Sequence, residues 1–298
     1  MPNSLVHFAV QGVVTRSVLR DADIKWVFIG CIIPDVPWII QRMSRVMLPQ
    51  IDPYTLRLYV IIQASFVFCL ILSAVFASFS EKPKTVFMIL LLNSFVHLLL
   101  DALEIKTAVG IHLIAPFSWE LIRFGLIWPE HVAVTILTIV GLSYTMFFVL
   151  KGIRSPIRLS TFSIRNNSLS LILLVAYFIL PILLLDGPAK SDNHYVNTLR
   201  EKDKRVGREI HFDRALYAPN QSGGKLFTFA GEELDLTGQL PLKCGVISIR
   251  GIFVDQKTIQ VLDLHENCGW FRDMASYIAL FLFSVLCVKS IFRCFCPT

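Results

Sequence analysis

The chain has 298 residues, of which 54% are hydrophobic and 17% charged, and its mean hydropathy is +0.62. Soluble domains carry about 25% charged residues, so this composition excludes an ordinary soluble globular protein and points to an α-helical polytopic membrane protein. The net charge of +6 sits in loops between apolar runs, where it sets topology and gives no reason to expect nucleic acid as a partner.

Residues 3–19 form an apolar run that holds His7 and leads to Arg16 and Arg20. The run is short for a full span, and either crosses thinly or lies in the interface. It lacks a basic n-region and a small-residue cleavage site, so no cleavable signal peptide is expected. Trp26 to Ile40 is apolar except for Asp35, which stands between Pro34 and Pro37. Proline cannot continue a helical ladder, so this segment is predicted to break where its carboxylate sits. Such an acid either caps a helix end at the interface or marks a functional site. Leu58–Phe79 is the next predicted span, and Glu81 to Lys84 turns the chain into Thr85–Asp101. There His97 and Asp101 lie at i and i+4, on one helix face. Two titratable groups at the end of an apolar segment must pair, face water or bind a cation. A lone His–Asp hydrogen bond and half of a metal site both meet that requirement.

Residues 102–118 are expected to form a loop or re-entrant piece, and Trp119–Trp128 an interfacial helix. Val132–Leu150, Leu169–Asp186 and Met274–Phe292 complete about six to seven membrane segments. The connection 151–167 carries Lys151, Arg154, Arg158 and Arg165 and no acidic residue, which predicts a cytoplasmic loop. Residues 187–271 then lie outside, with Asp35 and Asp101 near the same outer surface. His7 joins them only if the N-terminus is also outside.

Within 187–271, the charged stretch Lys190–Arg208 reads as a helical or extended linker. After it, Glu209–Tyr217, Lys225–Phe229, Leu234–Leu236, Gly245–Val254 and Thr258–Leu264 alternate with a period near two, which predicts about five strands in a small barrel or sandwich. Barrels of this size can bind oligonucleotides, but no run of exposed aromatics with basic neighbours is present, so a packing or partner-binding module is expected. Cys244 and Cys268 flank the last predicted hairpin and are expected to form a disulfide. The organisation read from the sequence is a membrane domain over 1–186, an extracytoplasmic β-rich domain over 187–271, and a C-terminal membrane helix with a short cytoplasmic tail over 272–298.

The residues His7, Gly30-Cys-Ile-Ile-Pro34-Asp35, Phe95-Val-His97-Leu-Leu-Leu-Asp101 and Gly110-Ile-His112-Leu-Ile-Ala-Pro116-Phe-Ser118 resemble, in order and spacing, a bacterial family of inner-membrane metal-dependent hydrolases. Some members are described as LexA-binding or LexA-regulated, and the family is distantly similar to zinc-dependent phospholipase C and related nucleases. The resemblance covers residues 3–130. It implies a divalent metal, with zinc the first choice, held by His7, Asp35, His97 and Asp101, with His112 and Glu120 as additional candidates. It further implies a multi-pass protein of the bacterial inner membrane that hydrolyses a lipid or lipid-linked phosphoester. Two positions depart from the family pattern. Pro37 stands where a second acid is usual, and Gln63-Ala64-Ser65 where a Thr-His-Ser block is usual. The alternative is therefore a non-catalytic membrane protein on the same scaffold, whose external β-domain binds a protein partner or senses envelope state.

Overall fold

The computed structural model describes residues 3–152, 164–220 and 223–295. Helix α1 (Ser4–Val18) starts where the Asn3 side chain accepts the Val6 N–H. Helix α2 (Ile24–Ile32) passes through a 3-10 turn at Ile33–Asp35 into α3 (Val36–Met47), so the chain does break at Pro34. Helices α4 (Pro53–Gln63) and α5 (Phe66–Ser78) replace the single span expected over Leu58–Phe79, and meet at 70°. The reason lies at Ala64 and Ser65: Ser65 is extended, and the Phe66 N–H takes the His112 carbonyl at 3.2 Å in place of a helical acceptor.

Helix α6 (Pro83–Leu103) carries His97 and Asp101 to its C-terminal end. The interfacial helix expected at Trp119–Trp128 is not formed. That segment is extended, and the N–H groups of Phe124 and Leu126 bond to the carbonyls of Ala102 and Leu103 at 2.7 and 2.8 Å. The last carbonyls of a helix have no partner within it, and pairing them fixes this segment as a cap on α6. Helices α7 (Val132–Gly152) and α8 (Ile164–Leu183) follow, then the short α9 (Asp186–Lys190) and α10 (Val196–Arg200). Residues 153–163, most of the connection expected to mark the cytoplasmic side, lie outside the described residues.

Among the described residues, five helical stretches are long and apolar enough to cross a membrane, or six if the α4–α5 pair counts as one broken span. The higher count meets the lower end of the expected six to seven; residues 3–19 yield the 15-residue α1, shorter than those spans. It packs beside α7 and runs in the same direction. Asn3 Nδ2 donates to Thr138 Oγ1 at 2.7 Å near its start, and Arg16 stacks on Phe148 near its end. Gly141 lets the Leu5 carbonyl approach the α7 backbone where any Cβ would collide. Phe8, Phe28 and Leu90 meet in the core among α1, α2 and α6.

Five strands follow: β1 (Glu209–Asn220), β2 (Gly223–Phe227), β3 (Glu233–Thr237), β4 (Gly245–Phe253) and β5 (Thr258–Asn267). They close into a barrel in the order β1-β2-β3-β5-β4, with β3 and β5 parallel and the other pairs antiparallel. This is a small Greek-key barrel of the OB type. The alternation read from the sequence supplies its core: Ile210, Phe212, Leu226, Leu234, Leu236, Ile247, Ile249 and Ile259 all point inward. Helix α11 (Gly269–Phe295) returns from the barrel to the helical bundle.

The charged stretch Lys190–Arg208 is partly helical, as one of the two expected forms has it, and it is packed in place. Its Arg205 is fully buried, donating to both carboxylate oxygens of Glu232 at 2.9 and 2.6 Å and to the carbonyls of Thr198 and Gln256. The disulfide expected between Cys244 and Cys268 is also absent: both are free, exposed thiols. Val246 pairs with Asn267, so Gly245 rather than Cys244 comes opposite Cys268. Along a strand, neighbouring side chains leave opposite faces, which turns the two thiols apart.

Candidate metal centre and its cleft

Three helices deliver four side chains to one level. His7 comes from the first turn of α1, Asp35 from the 3-10 turn after α2, and His97 and Asp101 from one face of α6. The break at Pro34 is what frees Asp35 from a helical ladder and points it at α6. His7 Nε2 lies 3.5 Å from Asp101 Oδ1, His97 Nε2 lies 3.6 Å from Asp35 Oδ1, and His97 Nε2 lies 3.9 Å from Asp101 Oδ2. Donor atoms of His7, His97 and Asp101 all fall within 4.8 Å of one another. Because His7 shares the level of Asp101, the N-terminus and the C-terminal end of α6 are on the same side.

These separations decide between hydrogen bonding and ligation. Hydrogen bonds between nitrogen and oxygen span about 2.7–3.2 Å. Donors placed about 2.1 Å from a tetrahedral ion stand about 3.4 Å apart. The observed values match the edges of a coordination shell better than they match direct bonds. His7 Nε2, His97 Nε2, Asp35 Oδ1 and Asp101 Oδ1 are all buried without a hydrogen-bond partner; His7, His97 and Asp101 form the mutually close set, and Asp35 reaches it beside His97.

The surroundings orient these groups. His97 Nδ1–H donates to the Cys31 carbonyl at 2.6 Å, which leaves the Nε2 lone pair for the centre. Gln11 Nε2 donates to His7 Nδ1 at 2.9 Å, which puts the ring proton on Nε2, facing Asp101, and leaves Gln11 Oε1 buried with no partner. Turning that amide end for end would bring Oε1 to Nδ1–H and give His7 Nε2 a lone pair for an ion. Lys106 Nζ reaches Asp101 Oδ2 at 3.5 Å and Glu104 Oε2 at 3.4 Å. Burial alone would lower the Lys106 pKa, but the Asp101 and Glu104 carboxylates outweigh it and raise it, so the side chain stays charged.

The other two candidates do not join the cluster. Glu120 is exposed, outside the cleft. His112 is buried with its ring edge-on to Trp119, and burial pushes its pKa down to about 4. Ala64, standing where the resembled family has histidine, lines the cleft and brings no donor.

The cluster opens into a cleft of about 550 Å³ between the helices and the barrel. Around it are Arg42, Arg45, Arg57, Lys106, Arg214 and Arg272, against only Asp35, Asp101 and Asp213. The barrel is anchored over it by Thr107 Oγ1 donating to the Phe212 carbonyl at 2.7 Å and by Arg214 on Glu130 at 3.2 Å. Arg214 has φ 54°, at a bulge where the β1–β4 register shifts. Of these residues Gln11 was legible, since it lies four positions after His7 on the same helix face. Lys106, Arg57, Arg214 and His194 carry no local signal, because separate segments assemble them. No protein-family model, curated protein or solved structure matches the chain.

Proposed function

We propose that this protein is a membrane-embedded, metal-dependent hydrolase of lipid or lipid-linked phosphoesters. One observation carries the reading: His7, His97 and Asp101, with Asp35 beside His97, meet at the wall of a cation-lined cleft. A divalent ion held there would polarise a phosphoryl oxygen and acidify a water. The chain's own residues would do the rest. Arg42, Arg45 and Lys106 neutralise the phosphoryl charge, and Lys106 keeps Asp101 ionised. Helix α3 supports a lipid substrate. Its Trp38, Gln41, Arg42 and Arg45 line the cleft, while Ile40, Met43 and Met47 on another face are exposed. A headgroup in the cleft would leave its acyl chains along that apolar face. The resemblance over residues 3–130 points the same way, and by the positive-inside rule the barrel and cleft belong on the outer face of a bacterial inner membrane.

Pro37 and Ala64, which supply no ligand, favour a second reading: a non-catalytic membrane protein whose barrel binds a partner. Metal analysis of detergent-purified protein, with phosphate release from phosphatidic acid in mixed micelles, separates the two. A hydrolase holds about one ion per chain and releases phosphate in a chelator-sensitive reaction that His97→Ala abolishes. Protein that holds no ion and turns over no phospholipid leaves the second reading.

A further inference from the structure

Arg57 of α4 lines the same cleft and is held in an unusual way. Its guanidinium lies between the rings of Trp38 and Phe229, 4.6 and 5.2 Å from their centroids. Nη1 donates to Gln41 Oε1 at 3.4 Å and Nη2 to His194 Nδ1 at 3.1 Å, while Nε is buried with no partner. Among the described residues no carboxylate lies within ion-pair distance of it. A buried cation without a counter-ion is costly, and an arriving anion removes that cost.

His194 adds a defined donor. Arginine only donates, so Nδ1 must accept, and the neutral ring carries its proton on Nε2. Burial first, and then the Arg57 charge, hold the His194 pKa well below the usual histidine value, so the ring stays neutral. That Nε2–H is buried and has no acceptor. Asp192, His194 and Tyr195 take left-handed φ values of 46°, 57° and 55°, a costly backbone for non-glycine residues. Hydrogen bonds from Asn197 N, Thr198 N and Thr198 Oγ1 to the Asp192 carboxylate hold the turn and so place His194. His112 stacks at 6.3 Å on His194, and both of its ring nitrogens are buried and unpartnered. The three side chains line the same cleft as Asp35 and Asp101.

We infer that Arg57, His194 and His112 form a second, metal-free anion subsite that takes a phosphoryl group other than the one cleaved, so that the ligand is a lipid bearing two phosphoryl groups. That another phosphoryl group of the ligand is cleaved rests on the hydrolase reading; the subsite does not. Forked guanidinium donors and a neutral imidazole N–H suit the spread oxygens of a phosphoryl group, and the rings of Trp38 and Phe229 keep Arg57 fixed in direction.

The test uses the full chain in detergent, stripped of divalent ions with a chelator and titrated with inorganic phosphate by calorimetry. Saturable binding is expected, weakened at least about tenfold by Arg57→Gln and His194→Asn and unchanged in His97→Ala. Arg57→Lys keeps the charge but loses the fork, and is expected to weaken binding too. It also guards against misfolding of Arg57→Gln, with gel filtration and circular dichroism run on every variant. A second arm replaces phosphate with micelles containing a lipid that bears two phosphoryl groups, which should compete for the same site more strongly than micelles of phosphatidic acid, which bears one. Unchanged phosphate affinity in both Arg57→Lys and His194→Asn overturns the subsite, as does loss of binding in His97→Ala alone. Phosphate binding that the two-phosphoryl lipid cannot displace, or displaces no better than phosphatidic acid does, overturns the lipid assignment. Phosphate binding through Arg57 in a protein that holds no metal would leave this subsite standing while the hydrolase reading falls.

Discussion

The imidazole rings of His7 and His97 stack face to face, 4.0 Å between centroids and 16° from parallel, although they belong to different helices. Each Nε2 is buried and unpartnered, and each lies beside the Asp101 carboxylate. Two imidazoles held this closely cannot both be cationic without repulsion, but both can offer lone pairs to one ion. His97→Ala and Asp101→Ala should therefore lower divalent-ion affinity by at least about 100-fold while the protein still inserts and elutes normally. Elemental analysis of purified protein gives the answer, and retention of a full complement of ion in both variants would sink the site.

Gly141 makes a prediction far from any ligand. A Cβ there would strike the Leu5 carbonyl, so Gly141→Ala must push α1 away from α7 and carry His7 with it. Ion affinity should fall by about 10-fold or more although no ligand has changed, since displacing a ligand acts much as losing an orienting partner does. Gly245→Ala, where a Cβ would meet open space, serves as the control and should leave the ion in place.

The barrel rests on Arg205 and Glu232. Removing one partner strands the other in a buried place, which costs about 3–5 kcal/mol. Arg205→Met should release the barrel to proteolysis or rapid amide exchange, with the membrane helices still protected. Burial alone would raise the Glu232 pKa, but Arg205 outweighs it and lowers it. A carboxylate with a lowered folded pKa contributes stability above its unfolded pKa, and that contribution fades as the pH drops through the folded value. Acid should therefore loosen the barrel below about pH 4, the usual glutamate range, and Glu232→Gln should abolish that acid sensitivity.

His112 gives a separate pH dependence. Burial pushes its pKa down to about 4, against about 6.5 in an unfolded chain. Between those values the unfolded state binds more protons, so folding stability rises with pH, is complete above about 6.5 and is lost on acidification towards 4. The contribution is about 3 kcal/mol at most. Thermal midpoints measured in detergent should fall across this window, and His112→Gln should flatten the profile. An identical pH dependence in that variant would show that His112 is not the titrating group.

How far the sequence reaches can be read element by element. The period-two runs from Glu209 to Leu264 are strands at nearly the expected bounds, because alternation is imposed by the pleat itself and needs no partner to be visible. The break at Pro34 and the shared face of His97 and Asp101 were legible for the same reason: a proline ring and a helical period act locally. Assembly decided the rest. Whether Leu58–Phe79 ran straight depended on the His112 carbonyl, which takes the Phe66 N–H from a distant loop. Trp119–Trp128 lost its helix to the unpaired carbonyls at the end of α6, and Cys244 lost its bridge to a register in which Gly245 faces Cys268. Arg57, His194 and Lys106 converge on one cleft only because α4, the turn before α10 and the cap of α6 are packed together. Local periodicity is written into neighbouring residues, and so the sequence alone determines the barrel strands, the break at Pro34 and the polar groups that stand out from the apolar runs. Which of those groups meet depends on long-range packing and hydrogen-bond competition, and only the tertiary structure resolves that.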